Sequence, residues 1–186
     1  MKFMWHFYYI CFFFAEHIFT RLDGIIAALK KFAGVLVLNH LEKNLSAQGL
    51  KIGIVLSRFN EPIVNQLLTA CQQRLLALGV KDEDITLATV PGALETPLVL
   101  QTMANSEKFD GLIALGAVIR GETYHFEVVA NESARGVSEV QLQFGVPIAN
   151  AILTTENDEQ ALDRVAIKGA EAADVVIEMI HLLRQI

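Results

Sequence analysis

Short apolar runs alternate with amphipathic stretches along the chain from residue 50 onwards. Four of these runs are nearly continuous in apolar residues, at 50–56, 85–90, 111–119 and 147–153. Such runs are typical of strands that are covered on both faces of a sheet. The stretches between them carry apolar residues at helical spacing, over 61–78, 93–105 and 126–144. Strands that alternate with helices predict a parallel, doubly wound sheet with right-handed crossovers.

The segment after the fourth run carries a helix-start signal. Asn157 is followed three positions later by Gln160, which is the spacing of a capping box. We expect a short helix to begin there and a second helix to cover residues 169–183. In sheets of this kind ligands bind at the carboxyl ends of the strands, so the candidate chemistry lies in the segments that follow the strands.

Residues 1–43 differ from the rest and are interpreted as an apolar N-terminal extension to a domain at 44–186. Their aromatic start meets Glu16 and Arg21 before the apolar pattern reaches the ~20 residues of a membrane span. They also fit a signal peptide poorly, because Lys2 is the only charge at their start and no small-x-small cleavage site follows the apolar block. Three interpretations stay open: a membrane-associating anchor, a helix packed on the domain or a neighbour, and upstream sequence that is not translated, which we favour.

Composition and charge narrow the classes of partner. Of the 186 residues, 53% are hydrophobic and only 19% charged, which is more apolar than a typical soluble domain, so we expect a surface that an assembly buries. The net charge of -6 and the scattered basic residues argue against a nucleic-acid partner. Cys11 and Cys71 predict neither a disulfide framework nor a cysteine-based zinc site, as expected in the reducing cytoplasm.

Two strand-exit segments hold candidate ligand-binding residues. Asn60 can cap the helix that follows it or contact a ligand, and we favour capping. Phe59 beside it can close the core or offer a ring face to a planar heterocycle. After the second strand a proline and a glycine turn the chain, and small Ala93 lets a ligand approach the backbone closely. Glu95 either complements the dipole of the next helix or accepts hydrogen bonds from a polyol.

The third strand-exit segment, residues 116–126, is the richest in polar groups. The strand leaves through Gly121 and Thr123 into a helix that carries His125. Backbone N–H groups at a helix start bind anions, and Thr123 either adds a hydroxyl to that site or caps the helix. Beside an anion site, an imidazole is suited to carry protons. We expect Arg120 to pair with a neighbouring carboxylate rather than to take part in chemistry.

Arg164 and Lys168 follow the fourth strand at positions i and i+4, so both side chains can face the same way on a helix. Solvation at the surface is the default interpretation of both. A phosphate ligand would favour the arginine, because its planar guanidinium binds two oxygens at once.

Five motifs occur together in the order found in one enzyme family. They are RFN at 58–60, VPGALETP at 90–97, GAVIRGETYHFE at 116–127, ILTTEN at 152–157 and KGAEAA at 168–173. From about residue 44 to 183 the chain resembles the 6,7-dimethyl-8-ribityllumazine synthases of riboflavin biosynthesis, whereas residues 1–43 have no counterpart. The resemblance implies a flavodoxin-like, three-layer α/β domain with a four-stranded parallel sheet.

The resemblance also implies a reaction that uses neither metal nor organic cofactor. In it, 5-amino-6-ribitylaminouracil condenses with 3,4-dihydroxy-2-butanone 4-phosphate, and phosphate and water are released. By position, Phe59 would stack on the pyrimidine, and the uracil and ribityl chain would be held by Asn60, Ala93, Leu94, Glu95, Val118 and Ile119. The phosphate would be bound by Gly121, Glu122 and Thr123, and by Arg164 of an adjacent subunit. His125 would shuttle protons.

Small-molecule substrates and a homopentamer are the partners that the resemblance implies, with neither nucleic acid nor membrane. Some members of the family build icosahedral shells from pentamers, with the sites between subunits. The chain departs from the family at Asn150, where some members place an aromatic ring of the neighbouring subunit. The segment 164–169, which includes the neighbour-contacting Lys168, is shorter than the linker of shell-forming members. Pentamer, decamer and shell therefore stay open.

Three other classes of protein are weighed against this one. A non-catalytic relative that binds lumazine or flavin would have no need to keep His125, Thr123 and Arg164 together. A membrane-tethered protein would depend on residues 1–38 and would sediment with membranes. A generic nucleotide binder needs a glycine-rich phosphate motif after the first strand, and the chain has none there.

Overall fold

The computed structural model describes residues 38–186 of the chain. Our three interpretations of the N-terminal extension, as an anchor, a packed helix or untranslated sequence, depend on residues 1–37, which lie outside the described part. The chain divides into two units, Met1–Leu41 and Glu42–Ile186, and the parallel sheet with its covering helices belongs to the second unit.

Strands and helices alternate along this unit. The strands are β1 (Ile52–Ser57), β2 (Ile85–Val90), β3 (Gly111–Ile119) and β4 (Ile148–Thr155). The helices are α1 (Glu61–Leu78), α2 (Thr96–Asn105), α3 (His125–Phe144) and α4 (Asp158–Gln185). Each strand lies within two residues of the apolar run that predicts it. Between residues 38 and 186, no helix has both the length and the apolar character to cross a membrane.

The four strands form one parallel sheet in the order β2-β1-β3-β4. The winding reverses between β1 and β3, so a crevice opens at the carboxyl ends of these two strands. Helices α1 and α4 pack on one face of the sheet, and α2 and α3 pack on the other. Along β1, Ile54 belongs to the first of these core layers and Val55 to the second, as the period of a strand requires. The predicted three-layer, doubly wound architecture is confirmed.

The outer strand β2 departs from the expectation that every strand is covered on both faces. It pairs with β1 alone, and Thr86, Leu87 and Thr89 are exposed. The helices pack over the three other strands, so β2 projects beyond them. That part of the prediction is wrong, because the apolar content of a strand does not tell how far the covering helices extend.

The two helices expected after β4 are a single helix, α4. Its predicted start is correct, since Asn157 Oδ1 accepts a hydrogen bond from the N–H of Gln160 at 2.9 Å. The expected break before residue 169 is wrong. A Cβ at Gly169 would lie 2.5 Å from the backbone oxygen of Leu67 in α1, so the glycine lets two helices approach closely within an unbroken helix.

Candidate active site

A pocket of about 560 Å³ lies at the carboxyl ends of β1 and β3, where the winding of the sheet reverses. Its walls come from the end of β1, the turn after β2, the end of β3 and the start of α3. Three segments that are far apart in the chain therefore meet at one site, because each of them follows a neighbouring strand of the same parallel sheet.

Phe59 and Asn60 follow β1 and have different surroundings. Phe59 is 69% exposed and lines the pocket, so it does not close the core of the chain. Asn60 has a left-handed backbone (φ 62°) before α1, and its side chain makes no capping hydrogen bond. Its Nδ2 instead donates to the backbone oxygen of Ala117 at 2.9 Å. Asn60 thus takes the N-cap position that we favoured for it, but its side chain does not cap the helix and instead fastens the end of β1 to β3 beside the pocket.

The turn after β2 contributes Ala93, Leu94 and Glu95 to the pocket. These three residues form a short 3-10 turn, so α2 begins at Thr96 rather than at Ala93. Ala93 is buried and Glu95 is exposed. A Cβ at Gly92 would lie 3.0 Å from Glu95 Oε2. The glycine thus leaves room for a carboxylate at the pocket wall.

The start of α3 forms the opposite wall. His125 is the first residue of the helix, Tyr124 occupies the N-cap position, and no side chain caps this end. The alternative in which Thr123 caps the helix is therefore wrong, and Thr123 lines the pocket together with Gly121 and His125. The first N–H groups of a helix have no partner within it, so this end of α3 offers hydrogen-bond donors and a positive dipole to a ligand.

Arg120 holds the start of α3 in place. Its Nε pairs with Glu156 at 2.6 Å, its guanidinium also pairs with Glu127, and the group lies 4.1 Å from the centre of the Phe126 ring. The hydrogen bond from Arg120 lowers the pKa of Glu127, and the hydrogen bonds to Glu127 and Glu156 raise the pKa of Arg120. The predicted pairing of Arg120 is confirmed, and it links the end of β3 to α3 and to the turn between β4 and α4.

Arg164, Lys168 and Asn150 lie in a second cavity, of about 350 Å³, between β4 and α4. Arg164 donates to the backbone oxygen of Gln160 at 2.7 Å, and Lys168 pairs with Glu171 at 2.5 Å. The common orientation of Arg164 and Lys168 that their spacing predicts is confirmed, since both line this cavity. The two cavities share no lining residue, so within one chain the guanidinium of Arg164 and the imidazole of His125 belong to different cavities.

Most of the predicted substrate-binding residues line the first pocket, namely Phe59, Ala93, Leu94, Glu95, Val118, Ile119, Gly121, Thr123 and His125. Asn60 and Glu122 are neighbours of lining residues in the chain without lining the pocket themselves. The sequence did not single out five further lining residues, which are Ser57, Gly92, Ala117, Phe126 and Val129. Of these, Ser57 carried a signal, because a hydroxyl ends an otherwise apolar strand.

The cysteine and the carboxylates and histidines of the described chain form neither a metal site nor a reactive thiol. Within residues 38–186, no group of three or more His, Cys, Asp and Glu side chains is arranged to hold a metal ion. Cys71 is buried in the core, and burial raises the pKa of its thiol to about 12. A thiol in that environment stays protonated and is unsuited to nucleophilic chemistry.

Known proteins match this chain over most of its described part. The family model for 6,7-dimethyl-8-ribityllumazine synthase matches residues 49–184. A protein of that name from Methylobacillus flagellatus is 73% identical over 143 residues, which are 77% of this chain and 96% of the relative. Proteins of the same name from Chromobacterium violaceum and Paraburkholderia phymatum are 63% and 61% identical over 76% of this chain, and the matches cover 92% and 82% of those relatives. The chain belongs to the 6,7-dimethyl-8-ribityllumazine synthase family.

Proposed function

We propose that this chain condenses 5-amino-6-ribitylaminouracil with 3,4-dihydroxy-2-butanone 4-phosphate to 6,7-dimethyl-8-ribityllumazine, the penultimate step of riboflavin synthesis. Membership of the family supports this transferase reaction. One observation carries its assignment to the first pocket: an exposed aromatic ring (Phe59), a carboxylate (Glu95) and the uncapped start of α3 converge there. These groups match a planar ring, a polyol and a phosphate.

The pyrimidine substrate lies on the side of the pocket formed by β1, β2 and β3. Its ring stacks on Phe59, whose exposed ring offers a face to a planar partner. The backbone of Val118 and Ile119, at the end of β3, forms hydrogen bonds with the edge of the ring. Glu95 accepts hydrogen bonds from the ribityl hydroxyls, and the neighbouring contacts come from Asn60, Ala93 and Leu94.

The phosphate substrate lies at the start of α3. Backbone N–H groups of Gly121, Glu122 and Thr123 bind its phosphate, which the helix dipole also favours. His125, which follows these groups closely in the chain, carries protons while the imine forms and phosphate leaves. Holding the two reactants in the right relative position lowers the activation barrier by about 7–11 kcal/mol. A strongly activated catalytic group is therefore unnecessary.

Arg164 reaches the phosphate from an adjacent copy of the chain. The cavity that holds Arg164, Lys168 and Asn150 is separate from the first pocket, so a head-to-tail ring of copies joins the two. The outer surface of α4 supports such an assembly, because it exposes apolar side chains such as Ile167 and Val175. We propose a homopentamer of this kind, acting in the cytoplasm.

The reaction is tested by mixing the two purified substrates with the full chain and following lumazine absorbance and fluorescence. We expect steady formation of 6,7-dimethyl-8-ribityllumazine, and the same rate per site from a chain that begins at Leu41. A folded protein that binds the lumazine without producing it would contradict the proposal and favour the non-catalytic relative.

A chemically matched variant tests the assignment to the pocket. Glu95→Gln keeps the size of the side chain but replaces the charged carboxylate with an amide, whose one oxygen accepts hydrogen bonds from the polyol more weakly. We expect a higher KM for the pyrimidine substrate and an unchanged KM for the phosphate substrate. Equal effects on the two KM values would contradict the division of the pocket described above.

A further inference from the structure

Two buried hydroxyl groups have no hydrogen-bond partner within residues 38–186. They are Ser57 Oγ and Thr96 Oγ1, in residues that are 1% and 0% exposed. Burial takes a hydroxyl away from water, so a group that gains no partner in return is costly and needs an explanation. Ser57 lines the first pocket, whereas Thr96 does not. Both hydroxyls are therefore buried and without a partner, but only the hydroxyl of Ser57 lies in a residue that lines the pocket.

Apolar and backbone groups surround Ser57. It is the last residue of β1 and pairs in register with Val90 of β2. On its other side, a Cβ at Gly116 would lie 3.3 Å from Ser57 Cβ and 3.4 Å from Ile152. The other side chains with polar groups that line the pocket, those of Glu95, Thr123 and His125, are exposed. Ser57 is thus a buried polar group in a pocket whose other polar side chains lie toward solvent.

We propose that Ser57 Oγ is a substrate-binding group that hydrogen-bonds a hydroxyl of the ribityl chain. This inference rests on the proposed function and adds a contact to it. A polyol hydroxyl both donates and accepts, so it matches a serine hydroxyl, which does the same because its hydrogen turns about the Cβ–Oγ bond. Ser57 completes its hydrogen bonding only when the substrate is bound.

The position of Ser57 favours the ribityl chain over the ring. Val90, its neighbour in β2, leads directly into the turn that presents Glu95, the acceptor proposed for the other ribityl hydroxyls. Phe59, on which the ring stacks, is exposed, whereas Ser57 is buried. A flexible chain enters a narrow, buried part of a pocket more easily than a planar bicyclic ring that is already stacked near the opening.

The proposal predicts opposite effects on the free protein and on its complex. Ser57→Ala removes a hydroxyl that has no partner in the free chain, so the melting temperature should stay the same or rise. The same change removes one neutral hydrogen bond from the complex, so affinity for a ribityl ligand should fall about fivefold. A hydroxyl with only a structural role would lower the melting temperature instead.

The test is a fluorescence titration of the full chain with two ligands. The first is 6,7-dimethyl-8-ribityllumazine, and the second is 6,7,8-trimethyllumazine, which carries a methyl group in place of the ribityl chain. Ser57→Ala should bind the first ligand about fivefold more weakly and the second as tightly as the unchanged protein does. Ser57→Cys, which keeps the size but bonds weakly, should lie between the two and serves if the alanine variant does not fold. Thr96→Val is the matched control, since it removes the other unpartnered hydroxyl, and neither affinity should change.

Three results would overturn the proposal: equal weakening of both ligands, no weakening of either, and a lowered melting temperature for Ser57→Ala. The first would assign the hydroxyl to the ring or to the shape of the pocket. The proposed reaction fails separately, if the unchanged protein binds the ribityl ligand but forms no lumazine from the two substrates.

Discussion

His125 stands at the first position of α3, next to the backbone groups that we assign to the phosphate. Its contribution to the rate is limited by the nature of the reaction. Much of the acceleration comes from holding an amine, a ketone and a good leaving group in register, and that contribution does not depend on an imidazole.

We therefore expect His125→Ala to lower kcat about 10- to 100-fold, at or below the low end of what acid–base groups supply. The KM of both substrates should change little, because the side chain moves protons rather than holding substrate. Lumazine formation under saturating substrates measures the effect. Tyr124→Phe, a change at the adjacent exposed position, is the control and should retain the rate. Complete loss of turnover in a folded His125→Ala protein would show that positioning alone is insufficient.

At the scale of secondary-structure elements, Arg120 follows β3 directly and contacts both the start of α3, at Phe126 and Glu127, and the turn between β4 and α4, at Glu156. The pKa of Glu127 is lowered in the folded chain, chiefly by its hydrogen bond from Arg120. A carboxyl whose pKa is lowered by folding stabilises the fold above its unfolded pKa, and this contribution is lost as the pH falls through its folded pKa.

Arg120→Gln should therefore reduce the free energy of unfolding at neutral pH, and the difference from the unchanged protein should shrink as the pH falls through the lowered pKa of Glu127. Denaturant titrations at several pH values measure it. Arg135→Gln is the control, because Arg135 pairs with Glu132 and Glu139 on its own helix and connects no other element. A difference that is independent of pH would mean that the Glu127 pair contributes nothing.

The contact between α1 and α4 depends on Gly169. A Cβ there would lie 2.5 Å from Leu67 O and 2.8 Å from the Cβ of Ala70, and backbone cannot yield as a flexible side chain does. Gly169→Ala should lower the free energy of unfolding by about 1–3 kcal/mol, despite the better helix propensity of alanine. Ala166→Ser, at an exposed position of the same helix, should stay within about 0.5 kcal/mol. Chemical denaturation measures the free energy of unfolding of both variants. A stabilised Gly169→Ala protein would refute the close approach of the two helices.

At the level of the assembled protein, the proposed site needs two copies of the chain. His125 lines one cavity and Arg164 another, so each site in a ring takes the imidazole from one copy and the guanidinium from the next. His125→Ala and Arg164→Ala proteins, each weakly active, should complement each other when they assemble together.

In a random equal mixture, about a quarter of the sites receive both intact residues, so the mixture should be more active than the average of the two parents. Lumazine formation after joint refolding measures this, and refolding each variant with itself is the control. Activity no higher than the average would place both residues of a site on one chain or exclude Arg164 from it.

The features that could be predicted from the sequence are those that depend on near neighbours in the chain. Apolar runs and helical spacing located the strands and helices, and the capping pair Asn157 and Gln160 marked the start of α4. The motifs at the strand ends identified the family and most of the residues that line the pocket. These signals are local, because side-chain periodicity and capping act over a few residues.

Which distant groups meet depends on the packed, three-dimensional chain. Asn60 takes the predicted N-cap position of α1, but its side-chain amide donates to the backbone oxygen of Ala117, 57 residues away. The sequence predicts a break in the helix before Gly169, because the local pattern does not reveal the contact with α1 that requires a glycine. The exposure of β2 and the unpartnered burial of Ser57 likewise depend on what packs around them. Burial and hydrogen-bond partners are properties of the packed chain, so no local pattern could specify them.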